Sequence, residues 1–278
     1  MAGKKLKLNA IATTGIIIIA FYLVGIIVSF FWVPFDPVDM DTDHILEGPS
    51  FATGHIMGTD EFGRDVFSRI MAGSSISLVI SLAGTALGGI LGTLLGIWAG
   101  YLGGAWDHWM MRFADILFSF PSLLLSIFIM AILGEHTLNV VIAIAIVYIP
   151  QFARISRGAI LQIKQEEFVR AARSNGATSH YILYKHLLPN IVVPLIVQVS
   201  LSLSVAILLE SSLSFLGLGV QPPAPSWGNM LSGARKVMAI APWTAVYPGL
   251  AIVFLVLGFN LLGDGLRDIL DPRLRNVG

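Results

Sequence analysis

The sequence contains no cysteine. That excludes a disulfide framework, a thiolate metal site and a cysteine nucleophile. Charge is scarce too: Asp, Glu, Lys and Arg make up 12% of the 278 residues, where a soluble chain carries about 25%. Net charge is zero, so nothing draws the chain as a whole to nucleic acid. No patch of interleaved basic and aromatic residues suggests such an interface either. There is no GxxxxGK[ST] to cradle phosphate, no HExxH zinc helix and no GxSxG nucleophile elbow. The six histidines (His44, His55, His108, His136, His180, His186) show no metal-ligand spacing, so no metal site is expected. Glu166 and Glu167 are adjacent, but helix neighbours point about 100° apart and make a poor acid–base pair. The chain therefore reads as non-catalytic, with no cofactor of its own.

What is present is apolar sequence, 55% of all residues. Six runs approach the ~20 residues needed to span a bilayer: Ala10–Val33, Ile76–Gly100, Ile116–Leu133, Leu138–Phe152, Ile191–Leu218 and Trp243–Leu262. The fourth is short and extends into the polar stretch after it. None alternates as barrel strands do, and backbone groups in lipid must be paired internally, so the runs are helices. The fold class is an all-α integral membrane protein with lipid around most of its surface. The first run follows Lys4, Lys5 and Lys7. It exceeds the ~7–15 residues of a signal-peptide core and no cleavage site follows, so it is read as a retained span.

Lys and Arg set the orientation. With a cytoplasmic N-terminus, the cytoplasmic segments hold 13 of the 17 cations and the outside segments hold 4, namely Arg64, Arg69, Arg235 and Lys236. Both termini then face the cytoplasm. So does Gln165–Asn190, a charged stretch with two helix-like pieces around Asn175-Gly176 and a stop at Pro189. The chain divides into residues 1–75 (tail, first span, external segment) and 76–278 (five spans and the 165–190 element).

Along the chain, Met57–Gly73 reads as an interfacial amphipathic helix capped by Thr59 or Asp60, with Phe62, Val66, Phe67 and Ile70 on one side. Gly84, Gly88, Gly92, Gly96 and Gly100 recur every four residues, forming one helix face that lets another backbone approach. Tyr101–Asp115 reads as a cytoplasmic link, and Pro121 and Pro150 as kinks. Glu210 lies within the fifth span, beside Ser211, Ser212 and Ser214. Such a carboxylate either faces a pore and meets a cationic part of a substrate, or is buried and bonded to the neighbouring serines or backbone. Residues 219–242, with Pro222, Pro223, Pro225 and Trp227, read as a stiff outside loop with interfacial aromatics that include Trp243. Asp264, Arg267, Asp268, Asp271 and Arg273 suggest a cytoplasmic helix tail with exposed ion pairs.

The element at Gln165–Asn190 resembles the EAA loop of bacterial ABC-importer membrane subunits, whose pattern is Glu-Ala-Ala, three residues, Gly, nine residues, Ile, one residue, Leu-Pro. Here Arg170-Ala171-Ala172, Gly176, His186 and Leu188-Pro189 keep that spacing, with Arg170 in place of Glu and His186 in place of Ile. MGTDEFGRDVFSR, SFLGLGVQPPAPSWGNML and NLLGDGLRDILDP resemble the C-type permease subunit of the dipeptide/oligopeptide/nickel importers.

The resemblance implies a six-span type I importer bundle in the bacterial inner membrane. It implies a homologous B-type permease as partner, two cytoplasmic ATPase subunits carrying ATP and Mg, and an external solute-binding protein. It also implies ATPase coupling through Arg170, Ala171, Ala172, Arg173, Gly176, Ala177 and Pro189; the candidate pore or substrate residues, Glu210, Ser211 and Ser214, rest on the residue reading of the fifth span alone. Peptides are the expected substrate, and nickel or a metal chelate is the alternative. A secondary transporter would need more intramembrane ionisable groups than Glu210 and often shows inverted repeats, and no repeat is visible here.

Overall fold

Asn9, the first residue described in this computed structural model of residues 9–270, caps the first helix by accepting the amide hydrogen of Ala12 at 2.8 Å. Among the described residues ten α-helices follow: α1 (Ala10–Phe31), α2 (Val66–Leu102), α3 (Gly104–Phe118), α4 (Ser122–Leu133), α5 (Thr137–Ile163), α6 (Glu167–Ser174), α7 (Ser179–Ile182), α8 (Leu188–Phe215), α9 (Trp227–Val237) and α10 (Trp243–Leu270), with a single 3-10 turn, Thr42–His44, between α1 and α2. A π turn, Leu183–Leu187, joins α7 to α8. Five helical stretches are long and apolar enough to cross a membrane, and six spans result when the bent pair α3–α4 is counted as one. The molecule is the expected all-α membrane bundle.

α2 and α5 form its centre, with α8 across them and α10 against α8. One core cluster joins Ile80 of α2, Leu125 and Met130 of α4, Ile144 and Phe152 of α5 and Leu213 of α8. A second joins Val66 of α2, Ile207 of α8, Trp227 of α9 and Leu255 of α10. α1 adds no fully buried residue to either cluster, and Ile19, Tyr22 and Ile26 pack half-buried against the second. Only its Ala12 and Gly15 are buried, while Phe21, Phe30 and Phe31 are 74%, 72% and 87% exposed, as befits a lipid-facing helix.

Several elements differ from the sequence expectation. Met57–Gly73 is not one amphipathic helix. Asp60 instead organises a turn, accepting from the Phe62 and Arg64 amides at 2.9 and 3.1 Å. The helix starts at Val66, capped by Asp65, whose carboxylate accepts from the Ser68 amide at 2.7 Å. α2 then runs unbroken for 37 residues, about 55 Å at ~1.5 Å per residue, so the division drawn at residue 75 falls inside it. The Tyr101–Asp115 link is mostly helix α3, because its carboxylates find partners on α5: Asp107 pairs with Arg157 at 2.5 Å and Asp115 with Arg154 at 2.7 Å.

The third span is broken by 92° between α3 and α4, since Pro121 lacks an amide hydrogen and disfavours helical geometry at Phe120. Pro150, in contrast, sits inside a continuous α5. Residues 219–242 contain α9, opened by a reciprocal Ser226–Asn229 capping box. Trp227 is therefore no interfacial aromatic: it is fully buried, and its indole donates to the Ile70 carbonyl at 3.2 Å. At the C-terminal end, α10 carries Asp264, Arg267 and Asp268. No ion pair among the described residues involves them; Asp268 accepts instead from the Asn9 side chain at 3.3 Å. Asp271 and Arg273 lie outside the described residues.

Candidate functional site

Three places bear on function: the polar element at Gln165–Asn190, the glycine face and serine-rich centre of the bundle, and a recess beside α5 and α8.

The polar element is a helix–turn–helix. α6 ends in a Schellman motif: the Gly176 amide donates to the Arg173 carbonyl at 3.1 Å and the Ala177 amide to the Ala172 carbonyl at 3.0 Å. That geometry requires a left-handed residue, and Gly176 takes it at φ +80°. Thr178 then caps α7, accepting from the Tyr181 amide at 3.4 Å. Buried Val169, Ile182, Leu187 and Ile191 seat the element on Ile97 of α2 and Ile160 of α5. Lys164 adds a polar tether by donating to the Gly100 and Tyr101 carbonyls, both at 3.1 Å. These are carbonyls of the last turn of α2, which the helix itself leaves unpaired. Burial lowers the Lys164 pKa from its ordinary value and nearby Arg173 adds to the shift, with Asp107 opposing.

The pattern residues divide between two faces. Ala172 and Ala177 pack half-buried against the subunit, while Arg170, Ala171, Arg173, Gly176 and Pro189 are exposed. Arg170 folds back, its guanidinium donating twice to the Gln165 carbonyl at 3.0 and 2.7 Å. It thus braces the entry to α6 by itself. Sequence reasoning missed an aromatic surface here. His186 lies 5.7 Å, ring to ring, from both Phe168 and Tyr181, and Phe168, Tyr181 and Tyr184 are 44%, 52% and 67% exposed. Large apolar side chains on a water-facing element were the available signal.

In the membrane, the five glycines of α2 turn toward α5. A Cβ on Gly88 would stand 2.5 Å from the Ala145 carbonyl oxygen, and Gly92 and Gly96 lie against the carbonyls of Ile149 and Ala153. A second such crossing, unread in the sequence, joins Ala12 and Gly15 of α1 to Gly258 and Gly265 of α10.

Glu210 is fully buried. Ser214 donates to its carboxylate at 2.8 Å and Ser211 approaches at 3.4 Å, while Ser212 turns away to the Leu208 carbonyl. Ser214 also accepts from the Val220 amide at 3.2 Å. The group thus ties α8 to the turn after it, inside the subunit and away from the recess. Glu210→Gln, which keeps an acceptor for Ser214, is expected to leave thermal stability and uptake close to wild type. Glu210→Leu strands the Ser214 hydroxyl, at about 1–3 kcal/mol, which a lower unfolding temperature of the purified complex would register. Equal stability of the two variants would contradict this assignment.

The recess, of about 400 Å³, lies between α4, α5 and α8 and is open on one side. Its polar lining is Ser122, Tyr148, Gln151, Gln198 and Ser202. Tyr148 donates to the Ser202 carbonyl at 2.9 Å and Gln198 to the Ser202 hydroxyl at 2.9 Å. Two amide side chains at membrane depth supply donors and acceptors without charge. Gln151 and Gln198 were not singled out from the sequence, where lone glutamines in apolar runs carry no pattern.

The segment between α1 and α2 brings together residues that are scattered in the sequence. Asp41, His44 and His55 form one cluster of possible metal ligands. The sequence spacing hid this, because the chain turns back on itself between the two histidines.

A family model described as "Binding-protein-dependent transport system inner membrane component" matches residues 92–276. The chain belongs to this permease family. The matched part of the permease runs from the second half of α2 through the polar element, α8 and α10. It is a multi-pass membrane subunit of a transport system. It is 43% identical over 275 residues to the dipeptide transport system permease protein DppC of Alkalihalophilus pseudofirmus, covering 99% of this chain and 90% of that one. It is 47% identical over 251 residues to the glutathione transport system permease protein GsiD of Pectobacterium atrosepticum, covering 88% and 83%. With GsiD of Escherichia coli O157:H7 it shares 46% identity over 259 residues, covering 92% and 85%.

Proposed function

We propose that the permease forms one half of an ATP-driven import pore for short peptides, and that Gln165–Asn190 couples it to a cytoplasmic ATPase subunit. One observation carries this reading. A rigid, water-facing helical pair is seated on the ends of α2 and α5 and runs on into α8, and α5 and α8 supply Tyr148, Gln151, Gln198 and Ser202 to the recess. A shift imposed on the exposed face of α6 and α7 is therefore delivered to the polar lining as a rigid-body motion. The relatives named for dipeptide and for glutathione support a peptide substrate, since both ligands are short peptides. Uncharged amides along the recess suit peptide backbones of varied sequence.

The chain is non-catalytic in this reading: ATP and Mg are held by two ATPase subunits, and an external solute-binding protein delivers the peptide. A homologous B-type permease closes the open side of the recess. Both termini lie in the cytoplasm of a bacterium, the arrangement that puts 13 of 17 cations inside.

The lack of native cysteine makes a direct test clean. In the assembled complex, Ala171→Cys is expected to link to an ATPase subunit through a short cysteine–lysine reagent, and Ser232→Cys on the outside segment is not. Failure of Ala171→Cys and Tyr184→Cys to link, or uptake unaffected by ATP depletion, would rule the coupling role out.

A further inference from the structure

We infer that the segment between the first span and α2 holds a binding site for a borderline divalent transition-metal ion of the Zn²⁺ class, with Asp41, His44 and His55 as ligands. This lies outside the transport reading and does not depend on the substrate or on the ATPase.

The donor atoms of Asp41, His44 and His55 all lie within 4.8 Å of one another. Around a tetrahedral Zn²⁺ with bonds of ~2.0–2.1 Å, donors stand roughly 3.3 Å apart. Asp41 Oδ2 and His44 Nδ1, now 2.7 Å apart, need to open by less than an ångström to admit the ion. Two imidazoles with a carboxylate suit zinc and its neighbours, whereas Ca²⁺ and Mg²⁺ prefer oxygen throughout.

Two independent observations point to a ligand. First, His55 is held as metal-bound histidines are held. Its Nδ1 lies 3.1 Å from Asp65 Oδ1, and the other oxygen of Asp65 is engaged by the amide and hydroxyl of Ser68. A carboxylate behind an imidazole sets the tautomer and raises the basicity of the far nitrogen. Phe35 stacks on the same ring at 4.3 Å and limits its rotation. Second, Glu47 Oε2 is buried with no hydrogen-bond partner among the described residues. It lies 3.9 Å from His44 Nε2, while Oε1 is taken by Thr53 at 2.7 Å. A buried carboxylate oxygen left unpaired beside the His44 ring is negative charge at the edge of the cluster that a bound cation would offset. The backbone between His44 and Glu47 is also held in a costly conformation, Leu46 having φ +53° without being glycine.

A bound ion would clamp this segment to the start of α2, since Asp65 is both the brace behind His55 and the cap of that helix.

The test uses the assembled complex in detergent with affinity tags removed. After EDTA treatment it is dialysed against micromolar ZnCl₂ and metal is counted by plasma mass spectrometry. His44→Ala is the main variant, because His44 is partly exposed and, unlike His55, does not brace the α2 cap. Wild type is expected to retain one more Zn²⁺ per permease than His44→Ala, to bind it at least tenfold more tightly, and to show a Zn²⁺-dependent rise in unfolding temperature that the variant lacks. Glu47→Gln is expected to weaken binding less than His44→Ala. Equal zinc content in wild type and His44→Ala, or retention of Ca²⁺ in place of Zn²⁺, would overturn the assignment. An unfolding temperature equal in the two metal-free proteins is the expected sign that His44→Ala removes a ligand and not the fold.

Discussion

Gly92→Leu is expected to leave almost no assembled permease in the membrane. The crossing of α2 and α5 is built backbone to backbone. Gly92 lies against the carbonyl of Ile149 and the Cβ of Phe152, and its neighbours one turn away lie against the carbonyls of Ala145 and Ala153. An added side chain ordinarily needs about 3.4 Å to its neighbours, and at these positions backbone atoms already stand nearer than that. Backbone within a paired helix cannot step aside as a flexible side chain can. The cost therefore lies at or above the upper end of the ~1–3 kcal/mol typical of an overpacked core. The helices separate, and the core cluster that spans them, including Ile80, Ile144 and Phe152, opens with them. Gly158→Ala is the matched control: it adds a side chain to α5 at a place with nothing within 4 Å. Yield of monodisperse complex after size-exclusion chromatography is the readout. Wild-type yield from Gly92→Leu would show that the seam is not a packing constraint.

Gly176→Val is expected to give the opposite phenotype, an assembled but uncoupled permease. A Cβ at Gly176 meets nothing within 4 Å, so space is not the issue. The left-handed φ of +80° is. A side chain there costs roughly 1–2 kcal/mol, and more when branched at Cβ. The buried anchors Val169, Ile182 and Leu187 lie outside the turn and keep the element attached. The strain is relieved by changing the angle between α6 and α7, which alters the exposed face that the proposed coupling uses. Stimulation of ATPase activity by loaded binding protein is expected to fall at least tenfold, with normal complex yield. Gly176→Asn, which tolerates the left-handed region, is expected to retain most of the stimulation. If Gly176→Val and Gly176→Asn behave alike, turn geometry is not what couples the element.

The long apolar runs made the helices and their number legible, because hydropathy over ~20 residues is set by lipid and not by neighbours in the fold. The glycine repeat in α2 was legible for a similar reason: a period of four on a helix is one face whatever lies opposite. What sequence hid depended on pairing between distant segments. The Tyr101–Asp115 stretch reads as a polar link until Arg154 and Arg157 are seen opposite its carboxylates. Trp227 reads as an interfacial ring until α2 is seen to offer it a carbonyl. Glu210 reads as a pore group or a buried one with equal ease, and only the placement of Ser214 separates the two. The polar element was visible as a charged island between apolar runs. Its seating on Ile97 and Ile160 required the tertiary fold.

The glycine seam has a mechanical consequence. Side chains between two helices act as soft spacers, each with rotamers that can change when a load is applied. Glycine has none to change, so along α2 and α5 one peptide backbone bears directly on another. The pair is therefore stiff in compression, and a push at the ends of α2 and α5 on which the polar element sits arrives at their far ends without being absorbed on the way. The compliance of the subunit is concentrated elsewhere, at the 92° break before α4, where the recess wall can swing while the central shaft keeps its shape.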